Sequence, residues 1–114
     1  MIDTDVLIDA ERGVLELPEA RCAISVITLY EFCRGKEDPA EAKRVLEEGF
    51  KVIPLTNPVL ETAAEIWREF RRSGEPIDER DLLIGATAIA EGLPLMTRNR
   101  RHYERLERFG LRLL

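Results

Sequence analysis

Three acids are threaded through the apolar start of the chain, MIDTDVLID, where Asp3, Asp5 and Asp9 lie among Met1, Ile2, Val6, Leu7 and Ile8. Burying an unpaired carboxylate costs several kcal/mol, so at least one of them needs a charged partner or a metal. Glu31 is a lone carboxylate among Leu29, Tyr30, Phe32 and Cys33, Asp81 opens the apolar run LLIGATAIA, and Thr97 and Asn99 follow LPLMT. Clustered carboxylates repel one another unless a cation neutralises them, and a set made only of oxygen donors suits Mg²⁺ or Mn²⁺. The single histidine, His102, excludes a centre built from several imidazoles, and Cys22 and Cys33 lack metal-type spacing. The chemistry on offer is a divalent cation held by carboxylates.

For that chemistry the acids must meet, and the pattern of elements says how. Met1 to Asp3 reads as the stub of a strand, followed by a short helix ending near Gly13. Cys22 to Ser25 reads as a buried strand, VITLYEFCR as a helix stopped by Gly35, and DPAE as an acidic N-cap with Pro at the first helical position. Phe50 to Leu55 is the next strand, Asn57-Pro58 begins the longest helix, and Asp78 caps a helix that Gly92 ends. Leu93 to Thr97 is a further strand, then come a short basic helix and a closing LRLL. Strands alternating with helices imply an α/β fold with a mainly parallel sheet of four or five strands, wrapped by helices. Ligands of such sheets bind beyond the carboxyl ends of the strands. Asp3, Glu31, Asp81, Thr97 and Asn99 all fall at that rim.

Each polar residue also has a plainer reading. Asp5 is expected to cap the first helix or orient Asp3, Asp9 to lie on a solvated face, and Asp78 to be only a cap. Asp81 reads equally as a capping acid three residues after Asp78. For Glu31 the alternative is an ion pair with an arginine. RNRRHYER reads as a solvated helix start, or as a phosphate guide beside an acidic rim.

The composition bounds the rest. At 114 residues and 13.1 kDa, with 45% apolar content, the chain has room for one domain, residues 1–114, with a real core. Its net charge of −5 argues against a non-specific nucleic-acid coat, although arginines cluster at positions 68–72 and 98–108. No apolar stretch approaches the ~18 residues of a membrane span, and an acidic N-terminus is not a signal peptide. The cysteines read as small core residues of a reduced, cytoplasmic protein. Ile66, Phe70, Val59 and Ala63 form a core stripe. Leu60, Ala64 and Trp67 broaden it, and the apolar helix Val26 to Arg34 adds further surplus surface, so a homodimer or partner contact is expected.

DTDVLID, ISVITLYEF and DLLIGATAIAEGLPLMTRN, in that order, resemble the PIN-domain ribonucleases, and specifically the VapC toxins of toxin–antitoxin pairs, over nearly the whole chain. The resemblance implies a divalent-metal-dependent endoribonuclease using Mg²⁺ or Mn²⁺, with an RNA substrate and a small antitoxin as partner. Carried over by position, Asp3, Glu31 and Asp81 match the family's acidic residues, with Asp3, Asp81 and Asn99 as metal ligands. Thr4, Ser25 and Thr97 match hydroxyls near its site, and Asp5 stands where the family often has Asn. Arg98, Arg100, Arg101 and Arg105 are the expected RNA contacts. The chain departs from the family at Asn99, where an acid is common. It also has fewer residues before Asp3, so a short first strand is expected, from a late start or a shortened chain. The rival reading is a non-catalytic PIN-like module that binds RNA or a partner. DTDV also fits the motif of aspartyl-phosphate phosphatases, but that mechanism needs a later lysine and acidic pair. The only lysines are Lys36, Lys43 and Lys51, and no acidic pair follows LPLMT.

Overall fold

Five segments lie side by side in one parallel sheet line, yet only two of them form a ladder. The computed structural model describes all of residues 1–114. Strand β1 (Ala23–Ser25) pairs in parallel with β2 (Lys51–Ile53), placing Ile24 opposite Val52. The other neighbours meet through isolated parallel bridges, Ile2 with Met96 and Leu95 with Leu113. The Ile2 N–H donates to the Ala23 carbonyl and the Asp3 N–H to that of Met96, both at 2.9 Å, so the first segment lies between β1 and Leu95–Met96. The expected four- or five-stranded sheet is thus reduced to a two-stranded ladder extended by bridges. Asp3 already caps a helix, and Pro94 has no N–H to give to a ladder.

Helices cover both faces. On one side are α1 (Thr4–Glu11), α2 (Val26–Arg34) and α3 (Pro39–Gly49). Their core holds Ile2, Val6, Ile24, Leu29, Phe32 and Leu46. On the other are α4 (Asn57–Ser73), α5 (Glu79–Glu91) and α6 (Arg100–Glu104), packed around Val59, Ile66, Phe70, Ile84, Leu95 and Tyr103. Met1 and Ile2 enter opposite cores, as the two-residue period of extended chain demands. No helix is long and apolar enough to cross a membrane.

The helix starts follow the caps legible in the sequence. Asp38 accepts from the Glu41 N–H and Asp78 from those of Arg80 and Asp81; Ser25, read only as a strand end and a site hydroxyl, is a cap as well, accepting from the Thr28 N–H. The first helix differs, since its cap is Asp3 and not Asp5. α2 offers less free surface than its composition suggests. Thr28, Leu29, Phe32 and Cys33 are buried, leaving Tyr30 as its exposed large apolar side chain.

Candidate active site

Because the sheet segments run parallel, their carboxyl ends share one rim, and Asp3, Ser25 and Thr97 stand there. Helix α2 brings Glu31 to the same rim one turn after Thr28, and the first turn of α5 brings Asp81. A cavity of about 380 Å³ opens there, and its lining includes Asp3, Thr4, Asp5, Glu31, Asp81 and Asn99. The larger cavity of about 590 Å³, between α1, α2 and α3, is mostly apolar and contains none of these residues; its own acids are Glu11, Glu37, Asp38 and Glu41.

Asp3 is 3% exposed, and its carboxylate is held from three directions. Its Oδ1 accepts from the Thr4 N–H at 2.7 Å and from the Tyr103 hydroxyl at 3.3 Å, and its Oδ2 accepts from Thr97 Oγ1 at 2.9 Å. The Asn99 N–H in turn donates to Thr97 Oγ1 at 2.9 Å, tying the loop after the last bridge to Asp3. The Tyr103 hydroxyl also lies 3.4 Å from Asp81 Oδ1, so one phenol stands between two carboxylates. Asp81 Oδ2 faces His102 Nδ1 at 3.5 Å. The capping-box reading of Asp81 does not describe its side chain, which turns to Tyr103 and His102 while its N–H is capped by Asp78.

Glu31 is oriented by a line of hydroxyls. A carboxylate only accepts, so the Thr4 Oγ1 proton goes to Glu31 Oε1 at 2.9 Å. Thr28 Oγ1 is then left to donate to Thr4, at 3.1 Å, and Ser25 Oγ to Thr28, at 3.4 Å. Glu31 Oε2 faces Arg80 at 3.4 Å and Arg34 at 3.8 Å, so the arginine pairing posed as its alternative is present as well.

The electrostatics are those of crowded, poorly compensated anions. Burial, reinforced by the charge of Asp5, pushes Asp3 up to about 7 despite the hydrogen bonds from Thr4 and Thr97. Burial and then the charge of Asp78 raise Asp81, with His102 opposing. Tyr103 is raised too, by burial and then by the charges of Asp3 and Asp81, so its phenol stays protonated and able to donate. No lysine or arginine is in salt-bridge contact with Asp3, Asp5 or Asp81.

A divalent cation fits this donor set in chemistry. The donors are carboxylate, amide and hydroxyl oxygens, and Asp3 Oδ2 keeps a direction unused. As they stand, no three acidic, histidine or cysteine side chains are close enough to cage an ion directly.

The PIN-domain family model matches residues 1–108. The chain belongs to the PIN-domain family. Ribonuclease VapC1 of Methanocaldococcus jannaschii is 36% identical to it over 117 residues, covering 99% of this chain and 85% of the relative. Ribonuclease VapC10 of Mycobacterium tuberculosis is 37% identical, covering 94% and 87% respectively. Among solved structures, the DNA-bound VapBC complex of Salmonella typhimurium matches with a TM-score of 0.83 at 28% identity, over 100% of this chain and 95% of that one.

The site residues expected in this PIN domain differ in where they fall. Asp3, Thr4, Asp5, Glu31, Asp81 and Asn99 share the cavity, while Ser25 and Thr97 support it from behind. The arginines of RNRRHYER do not line it. Arg98 pairs with Asp9 at 2.9 Å, Arg100 donates to the Leu114 carbonyl at 2.6 Å, and Arg105 donates to that of Pro76 at 2.6 Å. Asp9 is therefore paired and not merely solvated. Three residues of the PIN-domain site were not anticipated, namely Tyr103, Thr28 and Arg80. Thr28 had a readable signal, since a hydroxyl one turn before Glu31 shares its helix face.

Proposed function

We propose that this PIN domain is a divalent-metal-dependent endoribonuclease and the toxin of a toxin–antitoxin pair. The observation that carries the reading is the meeting of Asp3 and Asp81, 78 residues apart by number, across one phenol in a cavity that also admits Glu31. Carboxylates drawn from separate elements into a half-buried site, with no lysine or arginine paired to Asp3 or Asp81, call for a cation. The identity to VapC ribonucleases over nearly the whole chain supports RNA as the substrate. The likeness to VapBC complexes supports a small antitoxin as partner.

Asp3 and Asp81 would hold the cation, Mg²⁺ or Mn²⁺, with Asn99 adding a neutral amide oxygen. When bound, such an ion supplies Lewis-acid polarisation of the phosphodiester and stabilises the charge that develops as it is cut. The chain's own groups do the rest. Glu31, oriented by the Ser25–Thr28–Thr4 hydroxyls, lines the cavity, where its carboxylate can take a proton from an attacking water once Arg80 turns to a phosphate. Thr97 and the Thr4 N–H fix the plane of the Asp3 carboxylate. Arg80 offers planar donors to a phosphate entering past Glu31. Arg101, exposed and without a polar partner among the arginines of its segment, is the outer guide.

Asp81→Asn tests the reading. It should abolish Mg²⁺- or Mn²⁺-dependent RNA cleavage with the fold intact, and metal-free stability should hold or rise because one anion leaves a repelling group. Cleavage at the parent's rate would reduce Asp81 to a helix residue. Failure of the parent to bind Mn²⁺ at all would favour the non-catalytic binding module.

A further inference from the structure

We propose that Tyr103 is a positioning residue, whose hydroxyl fixes the Asp3 and Asp81 carboxylates relative to each other so that both could ligate a divalent cation. The inference rests on the metal-centre reading above and adds a residue to it. Tyr103 is completely buried, and its ring belongs to the core between α5 and the sheet. A phenylalanine would fill that space equally well. The hydroxyl therefore adds nothing to packing, and burying it is unfavourable unless it finds partners. Its partners are two carboxylates, Asp3 Oδ1 at 3.3 Å and Asp81 Oδ1 at 3.4 Å.

A phenol has one proton, so it can donate to only one of these oxygens at a time. The near-equal distances favour neither. What results is a fixed point between two anions that would otherwise turn apart. It also determines which oxygens remain available. Asp3 Oδ1 is occupied by the Thr4 N–H and by Tyr103, which leaves Oδ2 with a free direction beside Thr97. Asp81 Oδ1 is occupied by Tyr103, which leaves Oδ2 on the side of His102.

The phenol is itself held in place by the absence of a side chain on α5. Gly85 lies one turn after Asp81 on the same face. A Cβ there would stand 2.4 Å from Leu106 Cδ1 and 3.7 Å from the Tyr103 ring. A bare backbone at that position lets the segment from Tyr103 to Leu106 lie directly against α5, within reach of Asp81.

Tyr103→Phe in the full chain tests this, with Mn²⁺ alone as the probe. Groups that orient metal ligands typically contribute 10–100-fold to affinity, so calorimetric or paramagnetic titration should give Mn²⁺ binding weaker by about that factor. The Mn²⁺ concentration for half-maximal RNA cleavage should rise by the same factor, with the rate recovering at saturation. Metal-free circular dichroism should be parental, and the rise in melting temperature on adding Mn²⁺ should shrink. Parental Mn²⁺ affinity in the variant, or a parental Mn²⁺-induced rise in melting temperature, would overturn the inference while leaving the metal centre standing. A parent protein that binds no Mn²⁺ would overturn both.

Discussion

Arg80 and Glu31 face each other across the rim of the acid cavity, Nη1 to Oε2 at 3.4 Å, although 49 residues separate them in sequence. Arg80 is the one lysine or arginine lining that cavity, and Asp78 steadies it at 3.2 Å. An RNA backbone approaching a group of carboxylates meets this guanidinium first. Arg80→Ala should weaken RNA binding and flatten its salt dependence by roughly 0.7 in the log–log slope, the value for one phosphate contact on a single strand. Arg100→Ala with Arg101→Ala should act through Arg101, because Arg100 is committed to the Leu114 carbonyl. Filter binding at several salt concentrations decides between them. A parental slope for Arg80→Ala alongside a large change for the double variant would return the guiding role to the basic segment.

The pH dependence of stability should carry the signature of Asp3. Its ordinary value is 3.8, and in the folded protein it is pushed up to about 7. The folded state therefore holds a proton that the unfolded chain has released. The contribution is full below about pH 4 and is lost as the pH rises through about 7. Asp81 acts in the same direction, whereas Asp78, held down chiefly by Arg80, loses its contribution only as the pH falls below the usual carboxylate range. Metal-free protein should melt at progressively lower temperature between pH 5 and roughly pH 8, and Asp3→Asn should flatten that decline. Mn²⁺ at pH 8 should restore the melting temperature, since it binds the folded state. Identical pH profiles for the parent and Asp3→Asn would show that Asp3 is not the group responsible.

How far the site could be read from the sequence depends on what fixes each residue. Asp3, Glu31 and Asp81 were legible because parallel segments bring their carboxyl ends, and the first turns of the following helices, to one rim. Caps such as Asp38 and Asp78 were legible because they act within their own turn. Tyr103 was not, since in RNRRHYER it reads as one residue of a solvated basic helix. Its role arises from packing against Gly85 and from a partner 100 residues away. The pairings of Arg98, Arg100 and Arg105 were not legible for the same reason, as Asp9, Leu114 and Pro76 are distant partners. The stub at Met1 to Asp3 was legible, whereas the segments Phe50 to Leu55 and Leu93 to Thr97 pair over fewer residues than their composition suggests, because a ladder depends on its neighbours.

Gly85→Ala should separate helix propensity from packing. In an isolated helix the change would stabilise by about 1 kcal/mol. Here the new Cβ meets Leu106 Cδ1 at 2.4 Å, and Leu106 is completely buried, so it cannot swing into solvent. Overpacking of that kind costs about 1–3 kcal/mol, so the net effect should be a loss of about 1 kcal/mol. Urea denaturation should read a lower midpoint with an unchanged slope. Because Tyr103 rests on the same spot, Mn²⁺ affinity should fall as well. A gain in stability would mean that Leu106 repacks freely and that the close approach is unimportant.

The face of α4 turned away from its own core predicts the assembly state. Leu60 is 46% exposed and Trp67 41%, and a shallow cavity of about 280 Å³ beside Trp67 is lined by Ala63, Ala64, Leu82 and Leu83 of α4 and α5. Small residues next to a half-exposed indole form a surface with both a knob and a hole. Such a surface can pair with its own copy about a two-fold axis, each Trp67 entering the other's alanine-lined hollow. We expect a homodimer through α4 and α5. Trp67→Glu places a charge where the partner's apolar side chains must lie, so it should shift the mass to that of a monomer without loss of helicity. Sedimentation equilibrium across micromolar concentrations measures both species. A monomeric parent, or a dimer that survives Trp67→Glu, would show that this face does not join two copies of the chain.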